Sequence, residues 1–563
     1  VCAVVAGFSA VSRTRHAFFA LKHNHLKLVK LCNFLFKKVN LHVFTLQVID
    51  GLLAIENATA DCDTHNHQAP ACTSEDHVSM YDINLLINNT DNPASQNRTF
   101  TRKNPITGEI ATKAAAASKE DAIRAADAAA SAFPAWSKTG PGARRAILQK
   151  AADIMESKGE EFGRRVLVET GSTAMWGGFN AHLAANMLRE AAAMTTQITG
   201  DVIPSDVPGS FAMGIRQPAG VVLGIAPWNA PVILGTRAIA MPLACGNTVI
   251  LKASELCPAI HHLIGDCLRE AGAPEGVVNV ITNAPEDAPE IVETLIAHPA
   301  IRRINFTGST RVGRIIAELA ARHLKPVLLE LGGKAPFLVL DDADLDEAVN
   351  AAAFGAYMNQ GQICMSTERL IVDNAIGDDF AAKLAAKAKT LTAGDPAEGK
   401  HILGGVVTAE ATRRIEELVE DAVAKGAKLI AGSGKANGAL MDATLLDHVT
   451  SSMRIYREES FGPVVCIIRA QGDDEAIRIA NDSEYGLSSA VFSQNITRAM
   501  DVARQIESGI CHINGPTVHD EAQMPFGGVK ASGYGRFGSK AAIDEFTETR
   551  WITIQHGKRH YPF

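Results

Sequence analysis

The chain has 563 residues, is 47% hydrophobic and 21% charged, and carries a formal net charge of -8 with a pI near 6.2. That length exceeds one ordinary core, so two or more globular domains are expected. The acidic balance argues against nucleic acid or an anionic membrane as partner, and no uncharged apolar run approaches the ~20 residues of a membrane helix.

Residues 1–79 differ in kind from the rest. They hold four of the ten cysteines and seven of the eighteen histidines, have no acid before Asp50, and begin with Val. They are expected to be a disordered extension translated upstream of a start at Met80. The basic, acid-free stretch over 13–49 leaves organellar targeting as the alternative. Cys62, His65, His67 and Cys72 superficially resemble metal ligands, but the segment lacks apolar residues to fix them, so no metal is expected. Cys245, Cys257, Cys267, Cys466 and Cys511 show no paired spacing and read as reduced packing residues of a cytoplasmic protein.

Asn104-Pro105-Ile-Thr-Gly108 is a turn between two strand-like runs, a hairpin free to pair elsewhere. Ser118 with Asp121 forms a capping box, followed by an apolar face up to a break at Pro134. Long helices are expected over 141–171 and 174–199. Trp176 and Phe179 in the second, and Arg237 beyond it, suit either packing or a ligand.

A short apolar strand over 220–225, ending at Ile225, runs into Ala226-Pro227-Trp228-Asn229. That places the Asn amide at the carboxyl edge of a sheet, where ligands bind and where an amide donates to a developing oxyanion. The next strand ends at Lys252 with Glu255 three residues on. The two form either a solvated loop pair or a grip on a ribose diol, in which a free carboxylate repels a 2′-phosphate. A strand over 301–306 leads through Gly308, Ser309 and Gly313 into a helix, a turn at which backbone amides approach phosphate. These alternations predict a parallel, doubly wound sheet.

Val327-Leu-Leu-Glu330-Leu331-Gly332-Gly333 puts a carboxylate in apolar surroundings, which raises its pKa toward that of a neutral-pH general base. After a helix over 347–358 comes Gly361-Gln-Ile363-Cys364-Met365-Ser366. A thiol nucleophile needs activation, and a helix starting near Cys364 or Ser366 would supply a dipole for it. From about residue 371 helices and strands alternate again, suggesting a second α/β domain. The closing strand over 551–555 is free to pair with the early hairpin or with a neighbouring subunit.

Six motifs, namely Pro227-Trp-Asn229, Lys252-x-x-Glu255, Phe306-Thr-Gly-Ser309, Glu330-Leu-Gly-Gly333, Gly361-Gln-x-Cys364 and Glu459-x-Phe461-Gly-Pro463, occur in order. Together they resemble the aldehyde dehydrogenase superfamily across residues 81–563, most nearly its aromatic-aldehyde members. The resemblance implies an α/β architecture: a Rossmann-type cofactor domain over 80–330, a catalytic domain over 331–530, and a C-terminal segment over 531–563. Residues 97–112 and 205–219 would join the last strand in a small β oligomerisation element building a homodimer or homotetramer.

It also implies roles. Cys364 would be the nucleophile, Glu330 the base that activates water, and Asn229 with the Cys364 amide the oxyanion site. NAD would lie along Ile225, Pro227, Trp228, Lys252, Glu255, Gly308, Ser309, Gly313, Leu331, Gly332, Glu459 and Phe461. An aromatic aldehyde would meet Trp176, Phe179, Arg237, Ile363, Met365, His519 and Phe526. The alternatives are an aliphatic aldehyde or semialdehyde substrate, and a catalytically retired protein that keeps the fold.

Overall fold

The computed structural model describes residues 80–563. The expectations for 1–79, including the Cys62, His65, His67 and Cys72 cluster, lie outside the described residues.

Eight strands form the first sheet, in the order Gly533–Tyr534, Val327–Glu330, Ile301–Thr307, Val221–Ile225, Thr248–Lys252, Val278–Ile281, Leu85–Ile87 and Thr90–Asn92. Its five central strands are mutually parallel. Val222 packs into one core and Val221 and Leu223 into another, so this strand is buried on both faces and reads as a continuous apolar run. The chain leaves Val221–Ile225 in both directions across the sheet, which opens a crevice at the carboxyl ends of Val221–Ile225 and Ile301–Thr307.

Seven strands form the second sheet: Lys428–Ala431, Thr444–Asp447, Val464–Ala470, Thr367–Asp373, Ala335–Val339, Ser488–Phe492 and Ile510–Ile513, all parallel except the first. Four residues separate Glu330, which closes a strand of the first sheet, from Ala335, which opens one of the second. The two sheets therefore meet, through one short segment, at the carboxyl edge of one and the amino edge of the other.

Several local expectations are corrected. The Ser118 capping box is present, but the helix Lys119–Trp136 continues through Pro134. Pro134 lies in the last turn, where a lost hydrogen bond disrupts little, and Trp136, 2% exposed, anchors that turn in the core. The span 141–171 holds two helices, Pro141–Ser157 and Gly159–Thr170, because Lys158 between them (φ -95, ψ 16) leaves helical geometry. The next helix, Ala174–Met194, stops short of 199.

The early hairpin and the last strand do not join. Thr99–Lys103 and Ile110–Ala115 form a sheet with Tyr81–Ile83. Arg102 pins them inward by donating to the backbone oxygens of Glu169 (2.7 Å) and Val407 (3.0 Å). Thr547–Gln555 pairs instead with Ser210–Pro218 over nine residues, and Asp201–Ile203 completes that antiparallel sheet. Among the described residues no helix is long and apolar enough to cross a membrane.

Candidate active site

Cys364 sits in a tight turn closed by the Ser366 N–H donating to the Ile363 oxygen at 2.8 Å, immediately before the strand Thr367–Asp373. No helix begins there, so the expected dipole is absent. Burial instead pushes the Cys364 thiol well above its ordinary value, and the adjacent Glu330 pushes the same way. Glu330, 1% exposed, is the carboxylate expected from the sequence. Burial lifts it to about 7, against smaller opposing pulls from Cys364 and Arg237. Neither of its oxygens has a hydrogen-bond partner among the described residues. A buried carboxylate left unpaired next to a thiol is a proton acceptor without a competing donor.

Backbone geometry sets where the thiol stands. Asn359, Gln360 and Gly361 adopt φ of 48°, 55° and 69°, three successive left-handed residues just upstream of the turn. For Asn and Gln such angles cost on the order of 1 kcal/mol or more each and persist only where the surroundings enforce them. The enforcement is visible: Gln360 and Gln362 donate to the Gly405 oxygen, and the Gln362 side chain accepts from Val407 N–H at 2.9 Å. Asn359 accepts from Ser172 Oγ at 2.8 Å and donates to the Asn229 backbone oxygen at 2.9 Å.

The same Asn229 oxygen accepts from Trp176 Nε1 at 3.0 Å. Held by these two donors, Asn229 directs one side-chain amide hydrogen to the Gln362 oxygen at 3.0 Å. The other amide hydrogen is left for a ligand, and the Cys364 N–H has no acceptor among the described residues. Both donors proposed for an oxyanion thus stand beside the thiol.

Two cavities meet at Cys364, and Asn229 lines both. The first, about 290 Å³, runs along the crevice of the first sheet. Pro227 and Trp228, Gly308 and Ser309, and Leu331 and Gly332 form its floor. Glu459 and Phe461 close it from the second sheet, Phe461 standing edge-on to Trp228 with ring centroids 5.7 Å apart. Ser309 caps the helix Thr310–Arg322. Gly313, in its first turn, leaves room for Leu331, which a Cβ there would meet at 2.4 Å.

Farther along the same sheet edge, past Ile225, Lys252 pairs with Glu255, which also accepts from Asn283 at 3.0 Å. Burial pulls Glu255 up, but Lys252 and Asn283 outweigh it and hold the carboxyl below its ordinary range. A glycine floor, a capped helix start and an anionic carboxylate beside a lysine fit a nicotinamide dinucleotide.

Glu459 is steadied from behind. Its Oε1 accepts from Gly333 N–H at 2.8 Å, and burial raises it to about 7. The buried Lys334–Glu368 pair, at 2.6 Å, lies beneath it, with Glu368 accepting from Ser460 N–H (2.9 Å) and Phe461 N–H (3.1 Å).

The second cavity, about 440 Å³, opens on the other side of Cys364. All seven residues expected for the substrate line it: Trp176, Phe179, Arg237, Ile363, Met365, His519 and Phe526. Trp176 and Phe179 stack at 5.5 Å. Arg237 lies over the Phe526 ring at 4.3 Å and pairs with Asp520 at 2.5 Å. Sequence reasoning missed Asp520, for which no local pattern gives a signal. It also missed Asn359, whose only trace is an Asn two residues before a Gly in a run suited to left-handed angles.

This geometry is that of a known class of enzyme. Residues 92–552 match the aldehyde dehydrogenase family, and the chain belongs to it. It is therefore an oxidoreductase that oxidises an aldehyde with a nicotinamide dinucleotide. It is similar to the vanillin dehydrogenase of Pseudomonas fluorescens, 64% identical over 483 residues, covering 86% of this chain and 100% of the relative. Among solved structures it is similar to a salicylaldehyde dehydrogenase from Pseudomonas putida G7 complexed with salicylaldehyde (53% identity, TM-score 0.84, 86% of this chain and 100% of that one). It also resembles a betaine aldehyde dehydrogenase from Staphylococcus aureus in complex with NAD+ (31% identity, TM-score 0.81, 85% and 95% covered).

The raised thiol gives a direct test. Without cofactor at pH 7.5, iodoacetamide should modify Cys364 more slowly than free cysteine, because the raised pKa leaves less of the thiol ionised. Peptide mass spectrometry over a time course measures this, and a rate at or above that of free cysteine contradicts it.

Proposed function

We propose that the chain catalyses NAD-dependent oxidation of an aromatic aldehyde of the vanillin, hydroxybenzaldehyde or salicylaldehyde type to its carboxylic acid. The observation that carries this is the second cavity, where stacked Trp176 and Phe179 face the Arg237–Phe526 pair and Cys364 ends the passage. Flat aromatic walls with one cation favour a ring bearing an oxygen substituent over a flexible aliphatic chain. The names of the relatives point the same way.

In this reading Glu330 accepts the thiol proton and Cys364 Sγ adds to the aldehyde carbon, forming a thiohemiacetal. Asn229 and the Cys364 N–H hold the oxyanion. A bound nicotinamide dinucleotide supplies the hydride acceptor. Cys364 is left as a thioester; Glu330, having passed its first proton to solvent, takes one from the water that attacks the thioester and returns it to the departing thiolate, releasing the acid and the free thiol. Glu255, kept anionic by Lys252, sets the preference for NAD by repelling a 2′-phosphate.

The assembly is read as a homodimer or homotetramer through the sheet of Asp201–Ile203, Ser210–Pro218 and Thr547–Gln555. By register, one face of that sheet carries Val202, Phe211, Met213, Ile552 and Ile554. Val202 is 71% exposed, more than an isolated apolar sheet face tolerates well.

Purified protein should reduce NAD with vanillin or salicylaldehyde at a higher kcat/KM than with succinic semialdehyde. NADP should be at least about tenfold poorer, the effect of ~1.4 kcal/mol of repulsion. Faster turnover of the semialdehyde would overturn the substrate assignment.

Because the ionised form of Glu330 is the base, kcat should rise about tenfold per pH unit below 7 and level off above it. The limb should persist in Glu459→Gln. A kcat flat between pH 5.5 and 8, or a limb lost in that variant, would remove Glu330 as its source.

Sedimentation should give a dimer or tetramer, and Val202→Asp combined with Ile554→Asp should shift it to monomer. An unchanged mass in the double variant would reject this sheet as the interface.

A further inference from the structure

A third hollow, about 270 Å³, adjoins the second cavity and is not used by the chemistry above. It lies between the helices Leu345–Tyr357 and Gly377–Ala388 and is closed by Ile402 and Leu403. Its boundary with the ring cavity is made of the same four side chains that line that cavity: Met175, Trp176, Phe354 and Met358. Met175 is 65% exposed, Ile402 60% and Phe354 46%, so large apolar groups face outward here without cover from the described chain. Apolar groups gathered around a concavity mark a binding site more often than scattered ones do. Two of the four boundary residues are unbranched, polarisable methionines, which re-pack around differently shaped ligands.

Polar side chains also line the hollow, Thr173, Asn350, Asn359 and Lys387 among them. Lys387 Nζ donates to Asn350 Oδ1 at 3.2 Å, and Lys387 forms no ion pair with a carboxylate among the described residues. A ligand reaching across that boundary therefore meets aromatic and aliphatic side chains, with the Lys387 ammonium able to donate to an ether or phenolic oxygen.

We infer that this hollow is a subsite for the distal ring of a two-ring aryl aldehyde, whose first ring occupies the cavity at Cys364 and whose second ring is joined to it through an ether or similar short link. The inference rests on the aromatic-aldehyde reading and extends it: the hollow shares four lining side chains with the ring cavity and is lined mainly by apolar groups, with Lys387 a donor among its polar ones. A substrate of one ring fills the inner cavity alone, whereas one of two rings buries additional apolar area on Met175, Phe354 and Ile402.

The test compares 4-benzyloxybenzaldehyde with 4-methoxybenzaldehyde, which share the ring and its alkoxy group and differ in the distal ring. For the unaltered protein with NAD, kcat/KM for the benzyloxy compound should be at least equal to that for the methoxy compound, with the gain in KM. Ile402→Asp, at an exposed position outside the ring cavity, should lower the ratio of the two by at least about fivefold through loss of apolar contact. Ile402→Trp, which fills the hollow, should lower it as well.

Turnover of the methoxy compound with little or none of the benzyloxy compound would overturn the subsite while leaving the aromatic-aldehyde reading intact. So would a ratio unmoved in both variants, or a changed oligomeric state in them, since the face would then belong to a contact between copies. Failure to oxidise either compound would overturn the parent reading and the subsite with it.

Discussion

A side chain at Gly333 would place its Cβ 2.2 Å from the carbonyl oxygen of Cys364, and one at Gly361 would come 2.1 Å from the Gly462 oxygen. Backbone meets backbone at both points, so neither gap opens without moving a strand. The segment Glu330-Leu-Gly-Gly333 therefore fixes the separation of the base from the nucleophile, and it does so as the short link between the two parallel sheets. Everything functional hangs on that approach: the Glu459 carboxylate is held by Gly333 N–H, and the turn that carries Cys364 is pressed against the same residue.

The electrostatics follow from the packing. Removing Glu330 and Cys364 from water disfavours charge on either; the carboxylate raises the thiol further, while the thiol pulls Glu330 slightly back down. Glu330 can thus take up or release a proton near neutrality, while the thiol keeps its own and neither group is a fixed charge. Such a site is quiet until a ligand brings compensating charge or dipoles. Asn229 contributes the dipole, and its own position comes from Trp176 and Asn359, which grip its backbone oxygen from two different elements. Trp176 thereby serves twice, as a wall for the ring and as a clamp on the amide donor.

What was legible in the sequence was the chemistry attached to strand ends. Glu330, Lys252 and Asn229 are polar residues that follow apolar runs, and a buried-sheet pattern places such residues at a ligand-binding edge. The raised pKa of Glu330 follows from that placement alone. The state of the thiol was not legible, because it depends on whether a helix or a turn follows, and the turn is set by left-handed angles at Asn359 and Gln360 that sequence propensity opposes. Asn359 and Asp520 were invisible for a related reason: their partners lie 130 and 283 residues away, at Asn229 and Arg237. The destination of the last strand was hidden similarly, since the hairpin and Ser210–Pro218 offer equivalent edges, and the inward pull of Arg102 takes the hairpin out of reach.

The central claim is that Glu330 activates the water that releases the acid, a duty additional to its help in forming the carbon–sulfur bond at Cys364. Intact-protein and peptide mass spectrometry of Glu330→Gln mixed with NAD and vanillin tests it most directly. The account predicts NADH formed more slowly than in the unaltered protein and limited to about one per active site, together with an aroyl thioester that accumulates on Cys364 and decays slowly. Steady turnover at the unaltered rate with no adduct, or an adduct confined to another cysteine, would contradict it.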